Sequence, residues 1–392
     1  MKILHVSPNF PLPSNDGGKI VIYNFYKYMC KLGAEVDFIA LSKEKVDENF
    51  IKEFQNKITV HYDKEVISYK RLVRALLKNK SYLMNKFYSN RFSSILNDFV
   101  AEGNYDIIQF EGLHLAEYAL HLINRTNAKI VLRLHNLESI ILKRFCEQTN
   151  NLLKKMFFKY EYKKIKKLEN LSYKRIKNIV FISKEDYNHS GINQIAGANP
   201  FVSPAGVDIE YFSKINEKEN INLFYIGSMD WKPNEEAVYW FLNKVFKIVQ
   251  KSYPNIHFYI IGKNPSKGLK KINSNSITVT GTVPDVRPYI ENADICVVPI
   301  FIGGGMRVKI LEMMAAGKTI ISTSIGAEGI NYNDGENILI ANSDSEFIDK
   351  IKSLIEGRES KKRIAVNAKD FVSNNYSWNK IINEYKIYLE TL

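Results

Sequence analysis

Between residues 295 and 330 the chain reads ICVVPIFIGGGMRVKILEMMAAGKTIISTSIGAEGI, and this stretch limits the fold most tightly. An apolar run ends at Pro299, Gly303, Gly304 and Gly305 follow, and from Met306 apolar residues recur at helical spacing until Gly317 stops the pattern. The order is strand, glycine loop, helix, then a second strand in TIISTS. A loop without side chains that feeds a helix start lets backbone amides approach an anion, and the positive end of the helix dipole favours the charge. Arg307 and Lys309 fall in the first turns, so two cations can join those amides. Glu312, three residues past Lys309, projects from the same helix far enough along to reach past a diphosphate to hydroxyls. The pattern predicts a cradle for a phosphorylated, hydroxyl-bearing ligand. Lys309 is not followed by Ser or Thr, so this is no Walker loop, and the glycines lack the spacing of the dinucleotide fingerprint.

The rest of the chain alternates strands and helices. KILHVS is a strand, VIYNFYKYMCKLG a helix closed by Gly33 and EVDFIALS the next strand, a βαβ unit of a parallel sheet. The turn-rich loop PNFPLPSNDGGK between them carries Gly17 and Gly18 where the helix begins, at the strand end where open α/β sheets collect ligands. YDIIQFEG is a strand ending at Glu111, whose carboxylate either binds an acceptor hydroxyl or caps the next helix. AKIVLRLHNLES delivers His135 to a strand end. The polar run KINEKEN reads as an interdomain connection. A second αβ array starts at Ile221, where INLFYIG leads through Gly227, Ser228 and Lys232 into the helix EAVYWFLNKVFKIVQ.

A length of 392 residues suggests two or three domains, and 45% hydrophobic with 25% charged residues supports a substantial core. The start MKILHVSPNF fits a strand better than a signal peptide, and nothing approaches the roughly 18 uninterrupted apolar residues that span a bilayer. Cys30, Cys146 and Cys296 are few and unclustered, against a disulfide framework or a zinc site, so the expected setting is a reducing cytoplasm. The net charge of +13 is uneven: residues 151–178 hold ten Lys/Arg against Glu161 and Glu169, and residues 64–91 hold eight against Glu65. Both segments interleave bases with apolar residues. They read as helices lying on an anionic membrane surface or as solvated basic faces of core-packed helices. No recognised nucleic-acid module accompanies the charge, so nucleic acid is not an expected partner.

The run GGGMRVKILEMMAAGK, followed by GAEG, resembles the donor-binding signature of retaining glycosyltransferases of family four, which have the GT-B fold. The resemblance implies an α/β chain of two Rossmann-like domains facing across a cleft. An N-terminal acceptor-binding domain would cover 1–205 and a nucleotide-sugar-binding domain 206–370, with a C-terminal helix over 371–392 packing back on the first. FVSPAGVDIEYF resembles the family's PNGVD segment, with Ala205 in the Asn place. The usual pattern has two glutamates eight positions apart; here Glu312 is the second and Gly304 stands at the first. Glu312 would bind the ribose hydroxyls, and His135 matches a family His that faces the donor sugar. Many members carry Arg and Lys in the loop after the first strand of the second domain. Ser228 takes the Arg place and Lys232 lies one position off, so Arg307 and Lys309 would supply the missing charge. The base would sit near Gly281 to Val283, held by backbone atoms.

The implied donor set is Gly17, Gly18, Gly227, Ser228, Lys232, Val283, Gly304, Gly305, Met306, Arg307, Lys309 and Glu312. His135, Arg307 and Lys309 would be catalytic, and Glu111 would bind the acceptor. The implied reaction moves a hexosyl group from a UDP- or GDP-linked sugar to a hydroxyl of a saccharide or lipid-linked acceptor in surface polysaccharide or glycoconjugate assembly. With no Asp-x-Asp signal, neither metal nor cofactor is expected. The alternatives are a nucleotide-sugar epimerase of the same fold and a non-catalytic membrane- or nucleic-acid-binding protein.

Overall fold

The computed structural model describes residues 1–14, 16–43, 45–63, 75, 79–215 and 221–392. Much of the basic segment 64–91, and the connection KINEKEN from residue 216 on, lie outside the described residues. The chain forms two compact units, Met1–Pro204 with Ile381–Leu392, and Ala205–Lys380.

The first unit is built on strands β1 (Lys2–Ser7), β2 (Glu35–Ser42), β3 (Ile58–Tyr62), β4 (Ile107–Glu111), β5 (Lys129–Leu134), β6 (Asn178–Phe181) and β7 (Asn199–Val202). Among the described residues they form one sheet in the order β3-β2-β1-β4-β5-β6-β7, with every pairing parallel. The second unit is built on β8 (Leu223–Ile226), β9 (Phe258–Ile261), β10 (Ile277–Gly281), β11 (Ile295–Val298), β12 (Thr319–Ser322) and β13 (Leu339–Ile340). These too are all parallel, in the order β10-β9-β8-β11-β12-β13. Central strands read as near-continuous apolar runs because helices cover both sheet faces; ICVV of β11 is buried throughout. Each sheet reverses its strand order once, between β1 and β4 and between β8 and β11. At such a reversal adjacent loops leave in opposite directions and open a crevice at the carboxyl ends of the strands.

Helix α1 (Gly17–Lys31) buries Val21, Ile22, Phe25, Tyr26 and Met29, a single face at helical spacing. It begins four residues earlier than its apolar pattern suggests, because Asp16 Oδ1 accepts from the Lys19 amide at 3.0 Å and so holds a first turn that two glycines alone would leave weak. Helices α2 (Glu138–Gln148) and α3 (Leu152–Ile176) form a hairpin in the same unit. The second unit contributes α4 (Lys232–Phe241) and α5 (Val308–Ala315).

The last helix, α6 (Trp378–Glu390), starts in the second unit, where the Val207 amide donates to Tyr376 O at 2.8 Å. From Ile381 it belongs to the first. There Tyr385 donates to Gln109 Oε1 at 2.8 Å, and Tyr388 donates to Asn199 O at 3.1 Å while stacking on Phe201 at 4.4 Å. Among the described residues no helix is long and apolar enough to cross a membrane.

Candidate active site

The second unit's crevice lies between the loops that follow β8 and β11, and a side chain from the start of α5 reaches across to β8 and α4. Lys309, on the first turn of α5, donates from Nζ to Tyr225 Oη at 3.0 Å and to Asn234 Oδ1 at 3.1 Å. Tyr225 in turn donates to Asn234 Oδ1 at 2.5 Å, and Asn234 Nδ2 donates to Ser228 O at 2.7 Å, which ties down the loop after β8. Gly227 lets this network pass close to the backbone. A Cβ at that position would stand 2.7 Å from Lys309 Nζ and 2.9 Å from Asn234 Nδ2. Gly262, just past β9, is still more constrained: its φ is +154°, and a Cβ would meet Gly227 O at 1.8 Å. Gly262→Ala is therefore expected to lower stability by on the order of 3 kcal/mol, since backbone must move to admit the methyl. An unshifted urea midpoint would refute this close approach.

The glycine loop is shaped by Arg307. Its guanidinium Nη1 donates to the carbonyls of Gly304 and Gly305, the latter at 2.7 Å, and Cζ lies 5.3 Å from the Trp231 ring centre. Gly303, at φ +150°, passes so close that a Cβ would sit 2.2 Å from Nη2. The expected placement of Arg307 alongside the loop amides is thus corrected: the side chain is 7% exposed and turned back on the carbonyls of its own loop. In a trans peptide the C=O and the following N–H point in opposite directions, so carbonyls drawn toward Arg307 turn the Gly305 and Met306 amides away from it. Neither amide donates a hydrogen bond among the described residues, and α5 begins with no side-chain cap. Uncapped amides at a helix start are donors suited to an anion.

Glu312 lies one turn along from Lys309, and its carboxylate accepts no hydrogen bond among the described residues. Burial pushes its carboxyl up to about 7, with Lys309 opposing the shift. Burial likewise pushes the Lys309 ammonium down to about 7. The other expected donor residues are less tightly gathered. Ser228 spends its hydroxyl on Asp230 Oδ1. Lys232 is not brought to Lys309: its exposed ammonium pairs with Glu236 at 3.1 Å along its own helix, an i,i+4 geometry that the helix itself supplies. Val283 is part-exposed two residues beyond β10, on the same carboxyl edge of the sheet.

In the first unit, Glu111 ends β4 at the strand reversal and is completely enclosed. It accepts from His5 Nε2 at 2.9 Å, from Gln109 Nε2 at 2.5 Å and from His135 Nε2, with Arg133 Nη1 at 3.7 Å. Burial pushes this carboxyl up, but Arg133 and the two histidines more than offset that and hold it well below the usual carboxylate range. An ionised carboxylate only accepts, so Nε2 of both rings carries a proton. Glu111 therefore cannot meet an acceptor directly, contrary to the sequence expectation; the residue of this cluster that reaches the surface is His135, whose side chain is 17% exposed. Gly17 and Gly18 form the exposed first turn of α1, beyond the end of β1.

No motif in the sequence marks His5, Gln109, Arg133, Tyr225, Asn234 or Tyr385. A signal was present for the first three: each is a polar residue inside an otherwise apolar strand. Register then sets His5 beside Gln109 and Glu111 beside Arg133.

Comparison with known proteins gives these two crevices a family. Residues 15–211 match the model described as Glycosyltransferase Family 4, and residues 220–357 match the one described as Glycosyl transferases group 1. An uncharacterised 44.6 kDa protein in the cps region of Klebsiella pneumoniae is 28% identical over 97% of this chain and 98% of its own. Among solved structures, sucrose-phosphate synthase from Thermosynechococcus elongatus superposes with a TM-score of 0.73 at 13% identity, covering 100% of this chain and 99% of that one. Anabaena HepE in complex with UDP and glucose superposes with a TM-score of 0.71 at 13% identity, covering 100% of both chains. At that identity the likeness is one of fold. With two parallel αβ units, a terminal helix that returns to the first, and family models matched in both halves, the chain belongs to the GT-B glycosyltransferases.

Proposed function

We propose that the chain transfers a hexosyl group, with retention of configuration, from a nucleoside diphosphate sugar to an acceptor hydroxyl on a saccharide or lipid-linked intermediate of surface polysaccharide assembly. One observation carries the reading: Lys309, at the start of α5, reaches Tyr225 and Asn234 on the β8 side, beside a loop whose Gly305 and Met306 amides face away from Arg307. A breaking glycosidic bond leaves growing negative charge on the diphosphate. Fixed amides and the Lys309 ammonium would stabilise that charge more in the transition state than in the ground state. Arg307 adds positive potential and holds the loop. Gly304 and Gly227 keep the approach clear of side chains, and Glu312 would accept from the ribose hydroxyls.

The nucleotide base would rest on backbone near Val283. His135, fixed by Glu111, would hold a sugar hydroxyl, and the α1 start at Gly17 and Gly18 would meet phosphate or acceptor. The UDP bound by HepE supports a nucleotide donor, UDP- or GDP-linked, and the cps-region relative supports a polysaccharide product. The proposed setting is the cytoplasm.

Titration calorimetry with UDP and GDP tests the donor site. Glu312→Ala is expected to weaken the preferred nucleotide roughly tenfold, the loss of a charged hydrogen-bond acceptor; equal affinity would remove the ribose contact. Because protein groups carry the diphosphate charge in this reading, transfer is expected to continue undiminished in EDTA. A rate that collapses and returns with a divalent ion would transfer that role to a metal. Incubation with donor alone separates the rival epimerase, which would turn it over without acceptor.

A further inference from the structure

The long basic helix α3 has two outward-facing halves of different chemistry. From Glu161 onward it is held to the first unit by buried Glu161, Ile165, Glu169, Ser172, Tyr173 and Ile176. Its first turns are not held in this way. Leu152, Leu153 and Met156 are 76%, 79% and 69% exposed, and Phe157 and Tyr160 are 40% and 36% exposed. At about 100° per residue these five fall within an arc of roughly 140°, centred nearly opposite the core-facing side. Continuing along the same outward arc come Lys163, Lys167, Lys174 and Arg175, all exposed, while Lys159 borders the apolar stripe. An open groove of about 500 Å³ lies among Lys163, Lys166, Lys167 and Lys174.

A solvated basic face accounts for the lysines but not for five large apolar side chains in water, which on a helix surface mark a binding face. Charge selects the occupant. Both acids of α3 point inward: Glu161 accepts from Ser81 Oγ at 2.6 Å, and Glu169 accepts from Ser139 Oγ at 2.7 Å. The outward face therefore keeps its positive charge without an acid on the helix to balance it. An apolar strip bordered and continued by lysines complements a surface that is apolar beneath and anionic above. We propose that the tip of the α2–α3 hairpin docks on an anionic lipid surface, inserting Leu152, Leu153, Met156, Phe157 and Tyr160 among the acyl chains. The lysines of the continuing face then meet lipid phosphates. Such docking would suit a lipid-linked acceptor, but it stands apart from the transferase reading and is measured without donor.

The test is co-sedimentation of the full chain with phosphatidylcholine vesicles and with vesicles containing phosphatidylglycerol, at low and high salt. Binding is expected only to the anionic vesicles and is expected to weaken with salt. Leu153→Ser/Met156→Ser/Phe157→Ser should bind roughly tenfold more weakly at low salt with its charge unchanged, and Lys163→Glu/Lys167→Glu should lose a similar factor. These side chains are exposed, so both variants should keep the parental thermal midpoint, which establishes that they fold. Absence of the parent chain from anionic vesicles at low salt would overturn the proposal. So would parental binding by the triple serine variant, or light scattering showing a dimer that this variant dissolves, which would give the stripe to a second copy.

Discussion

Lys309→Met is expected to lower kcat/KM by about 10²- to 10³-fold, the range seen when a preorganised charge-stabilising donor is removed, and to leave the chain at least as stable as its parent. The two effects separate because Lys309 is placed for a ligand at the fold's expense. Burial holds its pKa down at about 7. Between that value and its ordinary one the unfolded chain binds a proton that the folded chain does not, so stability rises with pH across that window. Methionine fills similar space without the desolvated ammonium, and Tyr225 and Asn234 remain paired with each other at 2.5 Å. Unchanged transfer by a folded Lys309→Met protein, with a donor shown to bind, would remove the ammonium from the mechanism.

The same pair of residues sets the expected pH profile. Lys309 is charged below about 7, and Glu312, raised by burial, is ionised above about 7. If donor capture uses the ammonium and the carboxylate together, kcat/KM falls on both sides of neutrality, with apparent values that belong to the coupled pair. Glu312→Gln should flatten the acid limb and Lys309→Arg the alkaline one. A profile level through neutrality would break the link between these titrations and catalysis.

What could be read from the chain in advance was local. Strand, glycine loop and helix around Gly303–Gly305 follow from apolar periodicity and from residues that stop it, as does the carriage of His135 and Glu111 to strand ends. What could not be read was which neighbour would claim the last atoms of a long side chain. Arg307 finds two carbonyls within its own loop, Lys232 finds Glu236 a turn away, and Glu111 is enclosed by groups from β1 and β5 that only strand register brings beside it. The apolar residues of α3 show the same limit. Leu152, Leu153 and Met156 carry a helical spacing that suits a core as well as a surface, and they lie outside because on this first part of α3 only the opposite face, at Phe158, packs against the core.

The enclosed cluster around Glu111 predicts an asymmetry. Arg133 is fully buried, its guanidinium 5.6 Å from the Phe25 ring centre and 6.0 Å from that of Tyr385, and none of its nitrogens has a hydrogen-bond partner among the described residues. Its compensation is the Glu111 charge at 3.7 Å. Glu111→Gln keeps the shape but leaves a buried cation that cannot shed its proton, so a loss of about 3–5 kcal/mol is expected. Arg133→Met should cost less, because Glu111 would still accept from His5, Gln109 and His135. Adding Arg133→Met to Glu111→Gln should restore much of the lost stability, since the pair then leaves together.

The Glu111 carboxyl is held below its ordinary range in the folded chain. Its contribution is therefore complete above the unfolded value and fades as pH falls toward the folded one, narrowing the gap between parent and Glu111→Gln in acid. Urea denaturation of the four proteins at neutral and acidic pH measures each of these differences. Equal losses for the two single variants, or a double variant as weak as their sum, would mean that the carboxylate is not what keeps Arg133 inside.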